Sequence, residues 1–394
     1  MDDSTKITAR RQQNVVIAAI VTVMLLAMSS ASQAQIVSGQ PSVARQGFTY
    51  LSWTLEGDST DVTVTQWHIP IVVNAALQEN WELSVSSSIA ASDADWDIDD
   101  DEISGLTDSR IQVAHSLAED RILLSGGLSL PTGQTELDEA SRSLLPWLTA
   151  DFFTFPVKYH GEGLNLYGGA AGAYPAGDWV LGVATGIHLM GEYTPYEDGP
   201  EYTPGSRFIL SGSAEREWVD RGKVSADLNV VFSGDDEADG EPVFSDGTML
   251  DALLAGQRTF ETAALRGGIR IILRGKNEIL DAQRAELVSE ENNTNGSEVR
   301  FFVSGQRELT DRLSGFLTVE THLLGANDYE TDSRFYEGSA NILGVGGGID
   351  VRLSPMATGG IGIRIWNGSS DGSAAFESLD LKGFEITQRL TLTI

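Results

Sequence analysis

The sequence contains no cysteine and little proline, and these shortages exclude several kinds of site. With no cysteine among 394 residues, disulfide frameworks, thiolate metal sites and cysteine nucleophiles are excluded. Eleven prolines stand against 42 glycines, which fits tight turns and close strand packing better than a disordered chain. The five histidines are scattered, without the spacing of a helical metal site. We therefore expect no cofactor.

Basic residues are scarce, and the resulting charge excludes one class of partner. The chain has 26 Lys and Arg against 57 Asp and Glu, a net charge of −31 and a pI near 4.3. A surface of this sign repels nucleic acid, so we expect no nucleic-acid partner. The acid is concentrated in segments 91–107, 192–205 and 233–249, which contain seven, four and six carboxylates and no Lys or Arg.

One acidic segment has the alternate spacing of a calcium loop. Asp93, Asp95, Asp97 and Asp99 are every second residue, and hard cations prefer clustered carboxylate oxygens. The glycine at the sixth position and the terminal bidentate glutamate of such loops are missing. The sequence thus predicts at most weak Ca²⁺ or Mg²⁺ binding, and the alternative is a solvated acidic surface.

The N-terminus has the three parts of a secretory signal peptide. Lys6, Arg10 and Arg11 precede an apolar run over 15–28, which is followed by "SSASQA". We predict a signal peptide over 1–34, cleaved after Ala34, then a periplasmic segment at 35–46. The alternative, an uncleaved helical anchor, would need about 20 apolar residues. No later stretch resembles a membrane-spanning helix.

The rest of the chain alternates apolar and polar residues with a period of two, which is typical of strands. In the final "LKGFEITQRLTLTI", Phe384, Ile386 and Leu390 share one parity, and Glu385 and Thr387 share the other. Similar alternation predicts sixteen strands, at 47–56, 61–73, 80–90, 108–118, 121–130, 163–174, 178–191, 206–217, 222–232, 250–260, 261–274, 297–308, 311–324, 338–352, 357–366 and 381–394. The segment 250–260 also fits a helical turn.

The connections alternate between short turns and long polar segments. Short turns at 118–120, 175–177, 219–222 and 354–357 separate long segments such as 91–107, 131–162 and 275–296. This layout predicts an all-β, antiparallel transmembrane barrel over 47–394, with about 16 strands (range 12–16), short periplasmic turns and long acidic extracellular loops. The cellular location follows as the outer membrane of a Gram-negative cell. A soluble β-sandwich or propeller is the alternative, but no repeat period supports a propeller.

One stretch resembles a known family. "GLTDSRIQVAHSLAEDRILLSGGLSLPTG" (105–133) resembles the outer-membrane barrels of the meta-pathway phenol-degradation family, on Gly105, Leu106 and Asp108 at the start and on Leu130 to Gly133 at the end. The resemblance covers under a tenth of the chain. It implies a channel or transporter for small aromatic or hydrophobic compounds. Such barrels commonly end in Phe or Trp for the barrel-assembly machinery, whereas this chain ends in Ile394.

The longest and most apolar loop, 133–163, is a candidate for narrowing the pore. It contains "SRSLLPWLTADFFTFPV", with Trp147, Phe152 and Phe153. We weigh two placements for it. It either packs against the outer rim among the aromatic residues at headgroup level, or it folds into the mouth and constricts the pore.

Arginines recur on the strand face opposite the apolar one. In "ETAALRGGIRIILRG", Arg266, Arg270 and Arg274 alternate with Leu265, Ile269 and Ile271. Because Arg at the bilayer midplane costs ~2–4 kcal/mol, these side chains should face the lumen. The predicted pore-lining residues are Arg266, Arg270, Arg274, Arg312, Glu320, Arg352, Arg364 and Arg389. They form either a basic ladder for anionic solutes or structural ion pairs.

These patterns predict an outer-membrane channel for small solutes, either aromatic and hydrophobic or anionic. The alternatives are a structural or adhesive barrel and a hydrolase. The sequence argues against a hydrolase, because no G-x-S-x-G elbow or serine–histidine–acid set appears. The expected partners are membrane lipid and lipopolysaccharide, the barrel-assembly machinery and a small-molecule solute. A homo-oligomer is compatible with the sequence.

Overall fold

The computed structural model describes residues 42–58, 61–96, 100–218, 222–281, 283, 285–373 and 377–393. The predicted signal peptide, and the predicted periplasmic segment as far as residue 41, lie outside this range. The first strand begins at Val43, four residues earlier than predicted, because its first residues pair with both neighbouring strands.

Long antiparallel strands make up most of the molecule. In chain order they are β1 (Val43–Glu56), β2 (Asp61–Gln78), β3 (Trp81–Trp96), β4 (Asp100–Leu106), β5 (Ser109–Leu117), β6 (Ile122–Leu130), β7 (Asn165–Ala176), β8 (Trp179–Leu189), β9 (Tyr202–Thr203), β10 (Arg207–Trp218), β11 (Gly222–Ser233), β12 (Asp235–Ala238), β13 (Glu241–Ser245), β14 (Met249–Thr259), β15 (Ala263–Arg274), β16 (Glu278–Asp281), β17 (Glu286–Ser289), β18 (Glu298–Thr310), β19 (Leu313–Leu324), β20 (Ala340–Ser354), β21 (Ala357–Ser370) and β22 (Leu379–Thr393).

The sheet closes on itself, and this confirms the predicted fold class. β1 pairs with β2 on one side and with β22 on the other, over the full length of both β1 and β22. β4 and β5 are two halves of one barrel strand, since both pair with β3 and are separated only by Thr107 and Asp108. The result is a closed antiparallel barrel of sixteen strands. The ambiguous segment 250–260 is strand β14.

Apolar side chains face outward along the middle of the strands. Val183 and Leu317 are 68% and 70% exposed, which is the pattern of a wall that meets lipid. Aromatic residues mark the two edges of this band on β10, where Phe208 stacks on Phe232 of β11 at 6.3 Å and Trp218 lies at the other end of the strand. The interval from 208 to 218 matches the 9–11 residues of a tilted membrane crossing.

Several predicted extracellular loops contain strands of their own. The predicted loop at 91–107 is an extension of the barrel hairpin, formed by the end of β3 and by β4. Parts of the predicted loops at 192–205, 233–249 and 275–296 form a separate five-stranded sheet of β9, β12, β13, β16 and β17. Their turn-rich, acidic composition concealed these short strands. The extracellular face is therefore more ordered than predicted.

Two short helices, α1 (Glu139–Ser143) and α2 (Leu145–Thr149), lie in the connection between β6 and β7. Asp138 caps α1 by accepting a 2.9 Å hydrogen bond from the Ser141 backbone N–H. Within the described ranges, no helix is long and apolar enough to cross a membrane.

Candidate functional site

The candidate site is the barrel lumen, and two of its sides differ in the size and charge of their side chains. We call the lumen face of β6, β7, β8, β10 and β11 the small-residue wall, because it presents residues such as Ala171, Ala184 and Ser211. We call the lumen face of β14, β15 and β18–β22 the charged wall, because it presents residues such as Arg270 and Arg364. The alternation of each strand fixes which side chains face inward.

The connection between β6 and β7, residues 131–164, folds into the lumen, and we call it the inner loop. The Trp53 indole N–H on β1 donates a 2.9 Å hydrogen bond to the Phe153 carbonyl. The Gln66 amide on β2 donates to the Val157 carbonyl at 2.7 Å and accepts from the Val157 N–H at 2.9 Å. Trp53 and Gln66 are almost fully buried. The inner loop is thereby tied to the wall formed by β1 and β2.

The same loop also reaches the charged wall. The Arg274 guanidinium on β15 donates to Asp151 at 2.6 Å, and the Arg300 guanidinium on β18 donates to the Asp151 carbonyl at 3.1 Å. Lys158, also in the inner loop, forms a further ion pair with Asp151. β15 lies six strands from β1 and seven from β2 around the sixteen-stranded ring. The inner loop therefore crosses the lumen between nearly opposite sides.

Charge keeps Asp151 ionised in this bridge. Burial alone would raise the pKa of the Asp151 carboxyl, but the hydrogen bond from Lys158 and the charges of Lys158, Arg274 and Arg300 outweigh burial and hold this pKa below its ordinary value. The bridge is thus a charge-assisted contact at neutral pH.

Asp108, in the break between β4 and β5, holds both ends of the inner loop. Its carboxylate accepts hydrogen bonds from the Gly133 N–H at 2.9 Å and from the Glu162 N–H at 2.8 Å. Its own N–H donates to the His160 carbonyl at 3.0 Å. A Cβ at position 133 would lie 1.7 Å from the His160 oxygen, so only glycine fits there. The two ends of the 105–133 stretch meet at this clamp.

An apolar cluster fills the space between the inner loop and the wall of β1, β2 and β20–β22. Trp53 lies 5.3 Å from Phe153 and 5.9 Å from Trp366, measured between ring centroids. Phe152 and Phe153 are buried, and Trp147 packs against the cluster 6.1 Å from Phe153. The three predicted constriction residues thus lie inside the lumen and not at the outer rim, because the inward faces of these strands are apolar at this level.

The predicted arginines of β15 face the lumen, but neighbouring elements supply carboxylates for two of them. Arg270 makes two 2.8 Å hydrogen bonds to Asp251 on β14, and Arg274 binds Asp151 as described. Arg266 instead lies 5.5 Å above the Phe302 ring. These two carboxylates come from another strand and from a loop, and the alternation of β15 alone gives no sign of them.

Of the five remaining predicted pore-lining residues, all except Arg312 also lie on the charged wall. The Nη1 atom of Arg364 lies 2.7 Å from a carboxylate oxygen of Glu320 and 3.3 Å from a carboxylate oxygen of Glu385. Arg389 makes hydrogen bonds of 2.7–2.9 Å to Asp350. Arg312, in the turn after β18, and Arg352 line a cavity of about 800 Å³ at the periplasmic end together with Arg389.

A large open space, which we call the upper cavity, lies between the inner loop and the small-residue wall. This upper cavity of about 1000 Å³ is lined by Arg110, His188, Tyr193, Arg207 and Asp246, among others. A second cavity of about 340 Å³ lies on the same wall nearer the periplasmic turns, against Ala171, Ala184 and Ser211. The small inward side chains of β7–β11 leave this side of the lumen open.

Burial shifts the pKa of three side chains that line the upper cavity. Desolvation raises the pKa of Glu162, and Arg207 partly offsets this rise. Desolvation likewise raises the pKa of Asp246. Burial lowers the pKa of His160, which is 2% exposed. Each shift has the sign expected for a charged form removed from water.

Two of the four predicted divalent-cation residues are described by the structure, and both lie on the outside of the barrel. Asp93 and Asp95 lie on the outward face of β3, and Asp93 accepts a hydrogen bond from Thr65 on β2. Asp97 and Asp99 are outside the described residues. Among the residues that the structure describes, no group of three His, Asp or Glu side chains is arranged to hold a metal ion.

The comparisons with known proteins give similarity of structure without similarity of sequence. No family model matches the chain, so the predicted membership of the phenol-degradation family is not confirmed. No curated protein matches it in sequence.

The solved structures that it resembles include several outer-membrane barrels. A bacterial polysaccharide outer-membrane secretin is 10% identical, over 89% of this chain and 98% of that chain, with a TM-score of 0.45. The outer-membrane channel DcaP of Acinetobacter baumannii is 11% identical, over 91% and 100%, with a TM-score of 0.43. A Pseudomonas aeruginosa FadL homologue is 9% identical, over 90% of each chain, with a TM-score of 0.43. Similarity at this level transfers no solute and no residue role to this chain.

Proposed function

We propose that this protein is an outer-membrane channel that passes small solutes between the inner loop and the small-residue wall. The observation that carries the proposal is the crossing of the lumen by a loop that is fixed at Trp53 and Gln66 on one side and at Arg274 on the other. The inner loop narrows the sixteen-stranded barrel, which would otherwise enclose a wide aqueous channel. It leaves open the side lined by Ala171 and Ser211.

Single-channel recording in planar bilayers tests this proposal. The wild type should form discrete channels. Replacement of residues 138–157 by a short Gly-Ser linker should raise the conductance on the order of threefold, because the inner loop then no longer crosses the lumen. Trp179→Ala, on the outward face, is the control and should leave conductance unchanged. Absence of channels in the wild type, or equal conductance after loop replacement, would contradict the proposal.

Export and membrane insertion belong to the same proposal. A channel of this kind needs the signal peptide predicted over 1–34, the barrel-assembly machinery, and a lipid environment with lipopolysaccharide outside. Mass spectrometry of protein purified from outer membranes should give a mature N-terminus at Gln35. An N-terminus that retains residues 15–28 would support the uncleaved anchor instead.

A second class of solute, small apolar or aromatic compounds, is supported by one separate cavity. This cavity of about 480 Å³ lies beside α2 and is lined mainly by apolar side chains, including Leu55, Trp147, Phe152 and Leu381. Predominantly apolar cavities of this size suit small apolar ligands. Toluene should change the tryptophan fluorescence of the wild type but not that of Trp147→Gly. An equal change in both proteins would place binding elsewhere.

A further inference from the structure

Arg110 is a lumen arginine whose charge no protein carboxylate neutralises at contact distance. Arg270, Arg274, Arg300, Arg364 and Arg389 each have an Asp or Glu oxygen within 4.0 Å. Among the described residues, Arg110 has no such ion pair. In a chain of net charge −31, a cation left open in the lumen calls for an anion from outside the protein.

The structure holds the Arg110 guanidinium in one place. Its central carbon lies 4.9 Å above the Tyr167 ring on β7, a distance typical of a cation–π contact. The Tyr167 hydroxyl donates a 2.9 Å hydrogen bond to the Ile111 carbonyl, which fixes the ring. The stacked face of Arg110 is therefore occupied, while its N–H edge remains available to the upper cavity that it lines.

Two further nitrogen-bearing side chains border the same cavity. Arg207 on β10 lies opposite His188 in the strand register, and its closest carboxylate, Asp246, is 3.9 Å away, with both side chains about half exposed. The Nε2 atom of His188 is buried and has no hydrogen-bond partner among the residues that the structure describes. His188 packs edge-on against Tyr167 at 6.1 Å. Arg110, His188 and Arg207 thus surround one end of the upper cavity.

Two acids that border this cavity are already engaged by the protein. Both carboxylate oxygens of Asp108 accept backbone N–H groups. Asp236 accepts hydrogen bonds from the Tyr202 hydroxyl and the Gly205 N–H. These contacts satisfy both acids internally. Glu162 also lines the cavity and interacts with Arg207 and Arg110 through their charges, but among the described residues it forms no ion pair with either within 4.0 Å. The guanidinium of Arg110 is therefore left open to a ligand.

We propose that the upper cavity contains a binding site for a small organic carboxylate, held by Arg110 and Arg207. A guanidinium binds a carboxylate in a planar, two-bonded geometry. The cavity of about 1000 Å³ is large enough for such an ion. Tyr159, Tyr193 and Phe244 also line it and offer flat apolar surfaces to the rest of the solute. The site deepens the channel proposal and rests on it.

Benzoate and its uncharged analogue benzamide test the site. Benzoate should block the KCl current of the wild-type channel at an about tenfold lower concentration than benzamide, because one charge-assisted pair contributes about 1.4 kcal/mol or more. The double variant Arg110→Ser/Arg207→Ser should lose this difference while still forming channels. Arg266→Ser, a lumen arginine on the charged wall, is the matched control and should keep it.

Calorimetry on detergent-solubilised protein separates this proposal from the channel proposal, since binding needs no open pore. If the wild type gives a heat of benzoate binding and the double variant gives none, the result supports the site even when no conductance is seen. Equal affinity for benzoate and benzamide, or a benzoate effect that Arg266→Ser removes and Arg110→Ser/Arg207→Ser does not, would overturn it.

Discussion

The two lumen walls are built from strands of the same alternating kind, yet they differ in what their inward residues contact. On the charged wall, long side chains pair with each other, as Arg364 does with Glu320 and Glu385. On the small-residue wall, Ala184 and Ser211 reach only a short distance into the lumen and border an open cavity. The number of strands therefore sets the width of the barrel, while the inward residues decide which part of that width stays open.

The largest expected effect comes from the clamp that places the inner loop between the walls. Asp108→Ala removes two hydrogen bonds to a charged acceptor, with a cost on the order of 3 kcal/mol to loop docking. The channel should then fluctuate between the wild-type conductance and a larger one in bilayer recordings. Asp227→Ala, a lumen acid without a role in the loop, is the control. A steady wild-type conductance in Asp108→Ala would show that the clamp is dispensable.

A bulky residue distinguishes the two walls as solute paths. Ser211→Trp on β10 should reduce conductance by about half or more, because it fills the open cavity on that wall. Ser304→Trp on β18 is the matched change on the charged wall and should have a smaller effect. If Ser304→Trp reduces conductance more than Ser211→Trp does, ions pass along the charged wall and not along the small-residue wall.

Single arginine changes should separate structural charges from free ones on β15. Arg270→Ser leaves Asp251 without its bidentate partner, so it should lower thermal stability, by about 1–3 kcal/mol in unfolding free energy. Arg266→Ser removes a cation that pairs with no carboxylate in the described chain, so it should shift the reversal potential toward cation preference with little loss of stability. Equal shifts from both changes would support the basic ladder predicted from the sequence.

The smallest expected effect is a pH dependence that differs across the inner loop. Burial raises the pKa of Glu162 and Asp246 above their ordinary 4.5 and 3.8. Falling pH should therefore neutralise Glu162 at a pH above 4.5 and Asp246 at a pH above 3.8, and the reversal potential should shift toward anions as these acids lose their charge. Asp151 has a lowered pKa, so its contribution to docking persists at neutral pH and is lost only as pH falls below 3.8. Loss of the Asp151 contacts with Arg274 and Lys158 above that pH would contradict the assignment.

The barrel was predictable from the sequence because its determinants are local. The period of two in segments such as the C-terminal "GFEITQRLTL" specifies which face meets lipid, and the short turns specify which strands are neighbours. All sixteen predicted strands correspond to strands of the barrel. The extracellular ends of β3 and β21 were underestimated, at residues 90 and 366 where the strands run to Trp96 and Ser370. Outward residues there, such as Asp93 and Asn367, are polar and carry no lipid-facing signal.

The site was less predictable because its contacts join residues far apart in the chain. Aromatic residues such as Phe153 suggested either a rim or a plug, and only the buried inward Trp53 on β1 decides between them. Nothing local in the sequence connects Asp151 with Arg274, or Arg270 with Asp251. Asp108 carried one available signal, since it lies in the same stretch as Gly133, which it binds.

The inner loop has a consequence for the order in which the protein folds. Its clamp joins positions only 25 and 54 residues apart, whereas its contacts with Trp53, Arg274 and Arg300 span 100, 123 and 149 residues. Short-range contacts close at lower entropic cost and form sooner than long-range ones. The loop should therefore be tethered at its base while its tip is still free. The last step of folding is then the docking of this tip across the lumen of a barrel that has already closed. The newly assembled protein therefore passes through a stage with a wide, leaky pore before the inner loop narrows it.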